Sequence, residues 1–241
     1  MREALHAEWT KLRTVAGTGW LLVAIVVLTV GLSAAAVASC ATAGCVPDPA
    51  KTSLTGIDFG QAVVAILAAL AVSGEYSGGM IRVTFTAMPR RITVLTAKAL
   101  AVSGVVLVAG VAAVLLSIVV SGLLFSGNEF SARATGGSVL YLVLVGLLSL
   151  GVATAVRDSA VAVGVVLALL YLFPVVATVI GDPVWHRHFL QIGPMTAGLA
   201  IQATVHLEAL PIAPWAGLGV LAAWASGALL VGGSVLRLRD A

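Results

Sequence analysis

The chain has 241 residues, of which 60% are hydrophobic and 10% charged, and its formal net charge is +3. A water-soluble domain carries about 25% charged residues, so this composition excludes one and indicates a protein of the lipid bilayer, in keeping with the mean hydropathy of +1.12. A transmembrane β-barrel is excluded as well, because barrel strands alternate apolar and polar residues whereas the long runs here are apolar on every face.

Residues 1–14, MREALHAEWTKLRT, predict an amphipathic helix. Leu5, Trp9 and Leu12 recur at i, i+4 and i+7, and charged residues occupy the other faces. Such a helix lies in the membrane interface with its Trp at headgroup depth. The alternative is a charged leader that only sets the topology.

Six long uncharged runs follow, and each is close to the length of about 20 residues that a helix needs to cross the hydrocarbon core. They predict an all-α polytopic membrane protein that is a single transmembrane domain. The first run is too long, and starts too far along the chain, for a cleaved signal peptide. The predicted spans are 18–40, 57–74, 99–125, 134–156, 159–181 and 213–236.

The distribution of Lys and Arg predicts that both termini are cytoplasmic, because these residues stay preferentially on that side. The net positive charge is then a topology signal, and it predicts no nucleic-acid partner. The cytoplasmic segments would hold Arg2, Lys11, Arg13, Arg82, Arg90, Arg91, Lys98, Arg157, Arg237 and Arg239, against Lys51, Arg133 and Arg187 outside.

The chain has two cysteines, Cys40 and Cys45, at the outer end of the first span. A disulfide between them is compatible with an oxidising outer compartment. Two free thiols in a small-residue turn are equally compatible, because the close spacing does not settle the geometry.

Few polar residues lie within the spans. Gln61, Ser73 and Tyr171 are the candidates for lining a translocation path, and such a sparse lining suits a hydrophobic or amphiphilic cargo better than a hydrated ion. For the hydroxyls the alternative is structural, since Ser in a membrane helix usually packs or bonds to backbone carbonyls.

Residues 75–98 are the most polar interruption of the apolar sequence, with five charged side chains. Glu75 ends the second span, because a charge at the centre of a membrane helix costs about 2.5–3.5 kcal/mol. Gly78 and Gly79 then permit a sharp turn. The segment is predicted to be cytoplasmic.

Within this segment the pattern predicts a short surface helix. Ile81, Phe85 and Met88 form one apolar stripe, and Pro89 ends the helix because the residue before a proline disfavours the α conformation. A helix of this kind can dock into a groove on a cytoplasmic partner. The alternative is a basic loop that only sets the topology.

Residues 182–212, before the last span, predict an extracellular re-entrant or interfacial segment. The middle of this segment is apolar but short and interrupted, and a seventh span would place Arg237 and Arg239 outside. His186 and His188 fit no metal-site spacing, and we expect no metal site.

No motif for catalysis or nucleotide binding is present. A phosphate-binding loop needs Gly directly before Lys, and Lys11, Lys51 and Lys98 all lack it. We therefore expect no catalytic residues and no cofactor on this chain. Any ATP hydrolysis would belong to a separate chain.

The stretch EYSGGMIRVTFTAMPRRITVLTAK resembles a signature of the membrane subunits of ABC exporters of the second type, E-x-x-x-G-x-[IL]-R-x-x-[LF]-x-x-x-P-x-[RS]-x-x-x-x-x-x-K. Met80 and Thr86 depart from residues common in that family, and EWTKLRT and GPMTAGLAIQ resemble it more weakly. The matching residues are Glu75, Gly79, Arg82, Pro89, Arg91 and Lys98.

The resemblance implies a six-helix permease subunit in the inner (plasma) membrane of a bacterium, working as a dimer with a second copy or a related permease. A separate ATP-binding subunit would carry ATP and Mg. The cargo of such exporters is a drug, antibiotic, peptide or lipid. The residues implied to contact the ATPase as a coupling helix are Glu75, Gly79, Ile81, Arg82, Phe85, Met88, Pro89 and Arg91.

The sequence thus predicts the permease subunit of an ATP-driven exporter. The alternative function is a membrane-embedded enzyme or assembly scaffold without transport activity.

Overall fold

A computed structural model describes residues 2–43, 48–77, 91–124 and 131–238 of the chain. These ranges are mostly helical and contain no strand, which confirms the all-α prediction. The α-helices are α1 Arg2–Thr14, α2 Ala16–Ala43, α3 Pro49–Ser53, α4 Ile57–Ser77, α5 Arg91–Leu124, α6 Ala132–Val156, α7 Ser159–Val179, α8 Pro183–Ile192, α9 Pro194–Gly198 and α10 Pro214–Leu238.

Six helices of the described ranges, α2, α4, α5, α6, α7 and α10, are long and apolar enough to cross a membrane. This number agrees with the sequence prediction and is that of a multi-pass membrane protein. Side-chain caps fix several of the starts: the Asp158 carboxylate accepts from Val161 N at 2.9 Å at the start of α7, and Asp182 caps α8 in the same way.

Two helices extend further into the polar segment than its charges predict. α4 ends at Ser77 and α5 begins at Arg91, whereas the expected limits are 74 and 99. The 34 residues of α5 give a length of about 50 Å, against a hydrocarbon thickness of about 30 Å. The first turns of α5 can therefore stand in the polar interface, where a helix tolerates charged side chains.

The centre of the bundle is α6, which packs against α4, α5, α7 and α10. Tyr141, Leu142 and Leu148 of α6 are fully buried. The approach of α6 to α10 is close, because a Cβ on Gly151 would lie 2.5 Å from the backbone carbonyl carbon of Ala228. Small residues at such contacts let membrane helices pack backbone to backbone.

The contacts define two ends of the bundle. We call them the α1 end, where α1 meets the last turn of α4 and the first turns of α5, and the α3 end, where Asp48, just before α3, meets Thr204 and Val205. At the α3 end the Asp48 carboxylate accepts hydrogen bonds from Thr204 N and Oγ1 and from Val205 N. Burial opposes ionisation of Asp48, but these hydrogen bonds outweigh it and lower its pKa.

The segment before α10 consists of α8, α9 and two 3₁₀ turns, Leu199–Gln202 and Leu207–Ala209. Ile201 packs against Gly137, and a Cβ on Gly198 would meet the ring of Tyr141 at 2.6 Å. Tyr141 lies nine residues inside α6, about 14 Å along its axis. The segment therefore packs alongside the first turns of α6 and not only against its end. Its re-entry into a membrane stays a prediction.

Cys40, near the C-terminal end of α2, is disulfide-bonded. Its predicted partner, Cys45, lies outside the described residues.

Candidate functional site

Four charged side chains from three helices form a closed cluster at the α1 end, which we call the charge ring. It consists of Glu8 and Lys11 of α1, Glu75 of α4 and Lys98 of α5. Each carboxylate contacts both ammonium groups: Lys11–Glu8 3.0 Å, Lys11–Glu75 2.8 Å, Lys98–Glu8 2.6 Å and Lys98–Glu75 2.8 Å. The ring has no formal net charge.

The helices explain how these residues meet. Glu8 and Lys11 are three residues apart on α1 and so share a face. Glu75 lies in the last turn of α4, where the helix dipole disfavours a carboxylate, and the two ammonium groups offset this. Lys98 lies seven residues after the start of α5. The ring therefore joins α1 to the end of α4 and the beginning of α5.

The contacts of α1 differ from the amphipathic pattern. The residues it buries against the bundle are Ala4 and Glu8, whereas Leu5 and Trp9 are 39% and 47% exposed. Ion pairing explains the difference, because a carboxylate can be buried when it meets two ammonium groups. Leu5 and Trp9 are left to face the surroundings, as an interfacial position would require.

Burial makes the ring sensitive to the loss of one member. The side chains of Glu8, Glu75 and Lys98 are only 6–7% exposed, and that of Lys11 is 30% exposed. Lys98 uses all three donors of its ammonium, since it also donates to the Ala71 carbonyl at 3.0 Å. Removing one charge would leave a buried countercharge without compensation.

The protonation of Lys11 follows from the same contacts. Partial burial acts to lower its pKa, but the hydrogen bonds and charges of Glu75 and Glu8 outweigh burial and raise the pKa above the ordinary lysine value. Lys11 is therefore a cation throughout the physiological pH range. On Glu75, Oε1 accepts from both lysines, whereas the buried Oε2 has no hydrogen-bond partner among the described residues.

A further cation, Arg157, also lies at the α1 end. The Arg157 guanidinium lies 5.4 Å from the ring centroid of Tyr76, the residue after Glu75, and donates to the Val235 carbonyl at 3.4 Å. Arg157 has a positive φ of 66° at the C-terminus of α6, which gives the tight turn into α7. The last turns of α4, α6 and α10 are thus linked.

Two members of the ring, Glu75 and Lys98, flank the segment that is predicted from the sequence to be the coupling element. Of the eight residues predicted to contact the ATPase, Glu75 lies in the ring. Arg91 is the first residue of α5, and nothing is described of its side chain. Gly79, Ile81, Arg82, Phe85, Met88 and Pro89 lie outside the described residues.

The sequence pattern did not indicate that Glu8, Lys11 and Lys98 belong to one site. Lys98 belongs to the quoted motif, but nothing assigned it a partner. Ninety residues separate Lys98 from Glu8, and no local period links such positions. The only local signal is the opposite-charge spacing of three residues between Glu8 and Lys11.

Each of the three candidates for the translocation path makes a hydrogen bond within this chain. Tyr141 donates to Oε1 of the fully buried Gln61, and Tyr171 donates to the Asp58 carbonyl. The Ser73 hydroxyl donates to the Ala69 carbonyl of its own helix at 2.8 Å. These bonds give each side chain a structural role, and a role in a path stays a prediction.

The chain matches no protein-family model, and no curated protein matches it either. The charge ring and the segment it brackets therefore carry the functional proposal.

Proposed function

We propose that the chain is the membrane permease subunit of an ATP-driven exporter and receives the work of a separate ATP-binding chain through residues 78–90. The observation that supports this most is the Glu75–Lys98 ion pair at 2.8 Å. These two residues are the first and the last of the motif that resembles the exporter family. Their pairing closes the base of the segment that would contact the ATPase.

The mechanical argument starts from the ring. A force applied to residues 78–90 passes to the ends of α4 and α5, because the segment joins these two helices. Glu75 and Lys98 hold the two ends together, and Glu8 and Lys11 connect both to α1. A push on the segment would therefore move α1, α4 and α5 as one unit and would not simply bend a loop.

The same unit connects to the rest of the bundle. α4 packs against the central helix α6, and the Ser149 hydroxyl of α6 donates to the Ala65 carbonyl of α4 at 2.5 Å. Movement of α4 would thus reach α6 and, through its close contact with α10, the opposite side of the bundle. We propose that two permease subunits form the path and that ATP-driven closure of the partner ATPase alternates its access.

For the cargo we propose a hydrophobic or amphiphilic compound, such as a drug, antibiotic, peptide or lipid. The space between α6, α7 and α10 supports this class. It measures about 710 Å³, and its lining, which includes Leu148, Val220 and Trp224, is almost wholly apolar. With both termini cytoplasmic, the α1 end would face the ATPase, and the membrane would be the inner membrane of a bacterium.

The proposal is tested by purifying the tagged chain from its native membrane and measuring ATP hydrolysis. We expect a nucleotide-binding chain to copurify and to hydrolyse ATP. The double substitution Arg82→Ala with Phe85→Ala should abolish that association while the protein remains inserted. The matched control is Arg187→Ala with Val184→Ala, two exposed positions on α8 at the α3 end, which should keep it.

Absence of any nucleotide-binding chain and of ATP hydrolysis in the wild-type preparation would refute the permease function. Unchanged association in the Arg82→Ala, Phe85→Ala protein would refute the assignment of residues 78–90 as the contact.

A further inference from the structure

A groove of about 420 Å³ lies between α1 and α5, next to the charge ring. Its walls include Leu5 and Trp9 of α1 and Leu100 and Gly104 of α5, and Arg2 and His6 also line it. The volume falls within the range of about 300–1,000 Å³ that is usual for ligand pockets. The groove thus combines an apolar wall with the guanidinium of Arg2 and the imidazole of His6.

The ring and the groove contain different charged side chains of α1, and Glu3 and Arg13 belong to neither. Glu8 and Lys11 are held in the ring by Glu75 and Lys98. No acidic side chain lines the groove, and no ion pair joins Arg2 to any residue in the described part of the chain. The Arg2 guanidinium therefore makes the groove attractive to an anion.

The groove opens to the outside of the bundle and not toward its interior. Leu100 of α5 is 55% exposed and Trp9 of α1 is 47% exposed. Lys98, two residues before Leu100, marks the polar level of the interface, and Gly104 lies about 9 Å further along α5. The groove therefore spans the depth at which a lipid headgroup gives way to its acyl chains.

We propose that this groove is a binding site for one anionic phospholipid of the leaflet at the α1 end. Its phosphate contacts Arg2 and His6, and an acyl chain lies along Leu5 and Leu100 over Gly104. Basic side chains beside a membrane helix attract anionic headgroups, and the apolar walls supply acyl contact. The bound lipid then fixes α1, and with it the charge ring, at the membrane surface. This inference does not depend on the transport function.

The site is tested by native mass spectrometry of the full chain in detergent, titrated with phosphatidylglycerol or phosphatidylcholine. We expect one phosphatidylglycerol per chain, bound at least fivefold more tightly than phosphatidylcholine. Arg2→Gln should weaken phosphatidylglycerol binding about fivefold, as expected for one basic residue at an anionic surface. Arg13→Gln, at an exposed position at the far end of α1 that does not line the groove, is the control and should change binding less than twofold.

A second pair of variants tests the acyl contact without altering charge. A Cβ on Gly104 meets nothing within 4 Å, so Gly104→Leu fills the groove and should weaken phosphatidylglycerol binding at least fivefold. Gly122→Leu is an equally open position on the same helix, about 27 Å away, and should leave binding unchanged.

Equal binding of the two lipids would overturn the proposal, as would equal losses in each variant and its control. The mass spectra could also show a dimer of the wild-type chain that is lost in Gly104→Leu, while lipid binding persists. This result would overturn the proposal as well, since the occupant of the groove would then be a second copy of the chain.

Discussion

Replacing Lys98 with Met should destabilise the protein strongly. Lys98→Met preserves the length of the side chain but removes the ammonium group, which donates to Glu8, Glu75 and the Ala71 carbonyl. Two carboxylates that are 6–7% exposed then face the single charge of Lys11. Removal of one partner from a buried ion cluster costs about 3–5 kcal/mol, and we expect this loss in the free energy of unfolding.

A charge swap distinguishes the ring from an isolated ion pair. Glu75→Lys with Lys98→Glu restores attraction between positions 75 and 98. It also places the new lysine beside Lys11 and the new glutamate beside Glu8, so two of the four contacts become repulsive. The ring therefore predicts that this double swap stays unstable, whereas the fourfold swap that also includes Glu8→Lys and Lys11→Glu recovers most of the stability.

The assay is thermal or denaturant unfolding of the purified protein in one detergent at one lipid content. Lys51→Met, at an exposed position of the short helix α3, is the matched control and should change stability by less than about 0.5 kcal/mol. The reasoning is refuted if Lys98→Met is as mild as this control, or if the double swap alone recovers wild-type stability.

Three further predictions concern the bundle and the α3 end. Gly151→Ala should destabilise the protein by about 1–3 kcal/mol in unfolding experiments, because the new Cβ would overlap the backbone of α10. The control is Gly136→Ala on the same helix, whose Cβ would meet nothing within 4 Å and which should be neutral or mildly stabilising. Tyr141→Phe should lower the free energy of unfolding by about 1–3 kcal/mol, because it leaves the buried amide oxygen of Gln61 unsatisfied. Adding Gln61→Leu should recover part of this loss. The pKa of Asp48 in the folded protein lies below its ordinary value. Its contribution to stability is therefore fully present when the pH is above the ordinary pKa, and it is lost as the pH falls through the folded-state pKa. Asp48→Asn should remove this acid dependence, measured as unfolding temperatures over a series of pH values.

The number of spans and the all-α class could be predicted from the sequence, because a helix in lipid must satisfy its own backbone and the required run of apolar residues is long. The ends of α4 and α5 were less predictable. Charged residues in the sequence show where a helix leaves the hydrocarbon. The helix itself can continue through the polar interface, because it ends only where its backbone hydrogen bonds end. Ser77 and Arg91 are therefore both helical, although both lie within the polar segment 75–98.

The charge ring was beyond sequence reasoning for a different reason. The pattern of α1 emphasises Leu5 and Trp9, yet its buried face is centred on Glu8. Which face is buried depends on countercharges supplied by Glu75 and Lys98, and these are near in space but distant along the chain. Periodicity identifies an amphipathic helix, whereas the partner of a buried charge is fixed only by tertiary packing.

We propose, centrally, that the charge ring holds residues 78–90 in position to contact a separate ATP-binding chain. The most direct measurement is crosslinking in native membranes from a photoreactive phenylalanine at Phe85, with the same group at Trp185, an exposed aromatic position at the α3 end, as the control. The account predicts a crosslink from position 85 to an ATP-binding chain, its loss on Lys98→Met and its recovery in the fourfold swap. A crosslinked chain that does not bind ATP, or an equal crosslink from position 185, would contradict it.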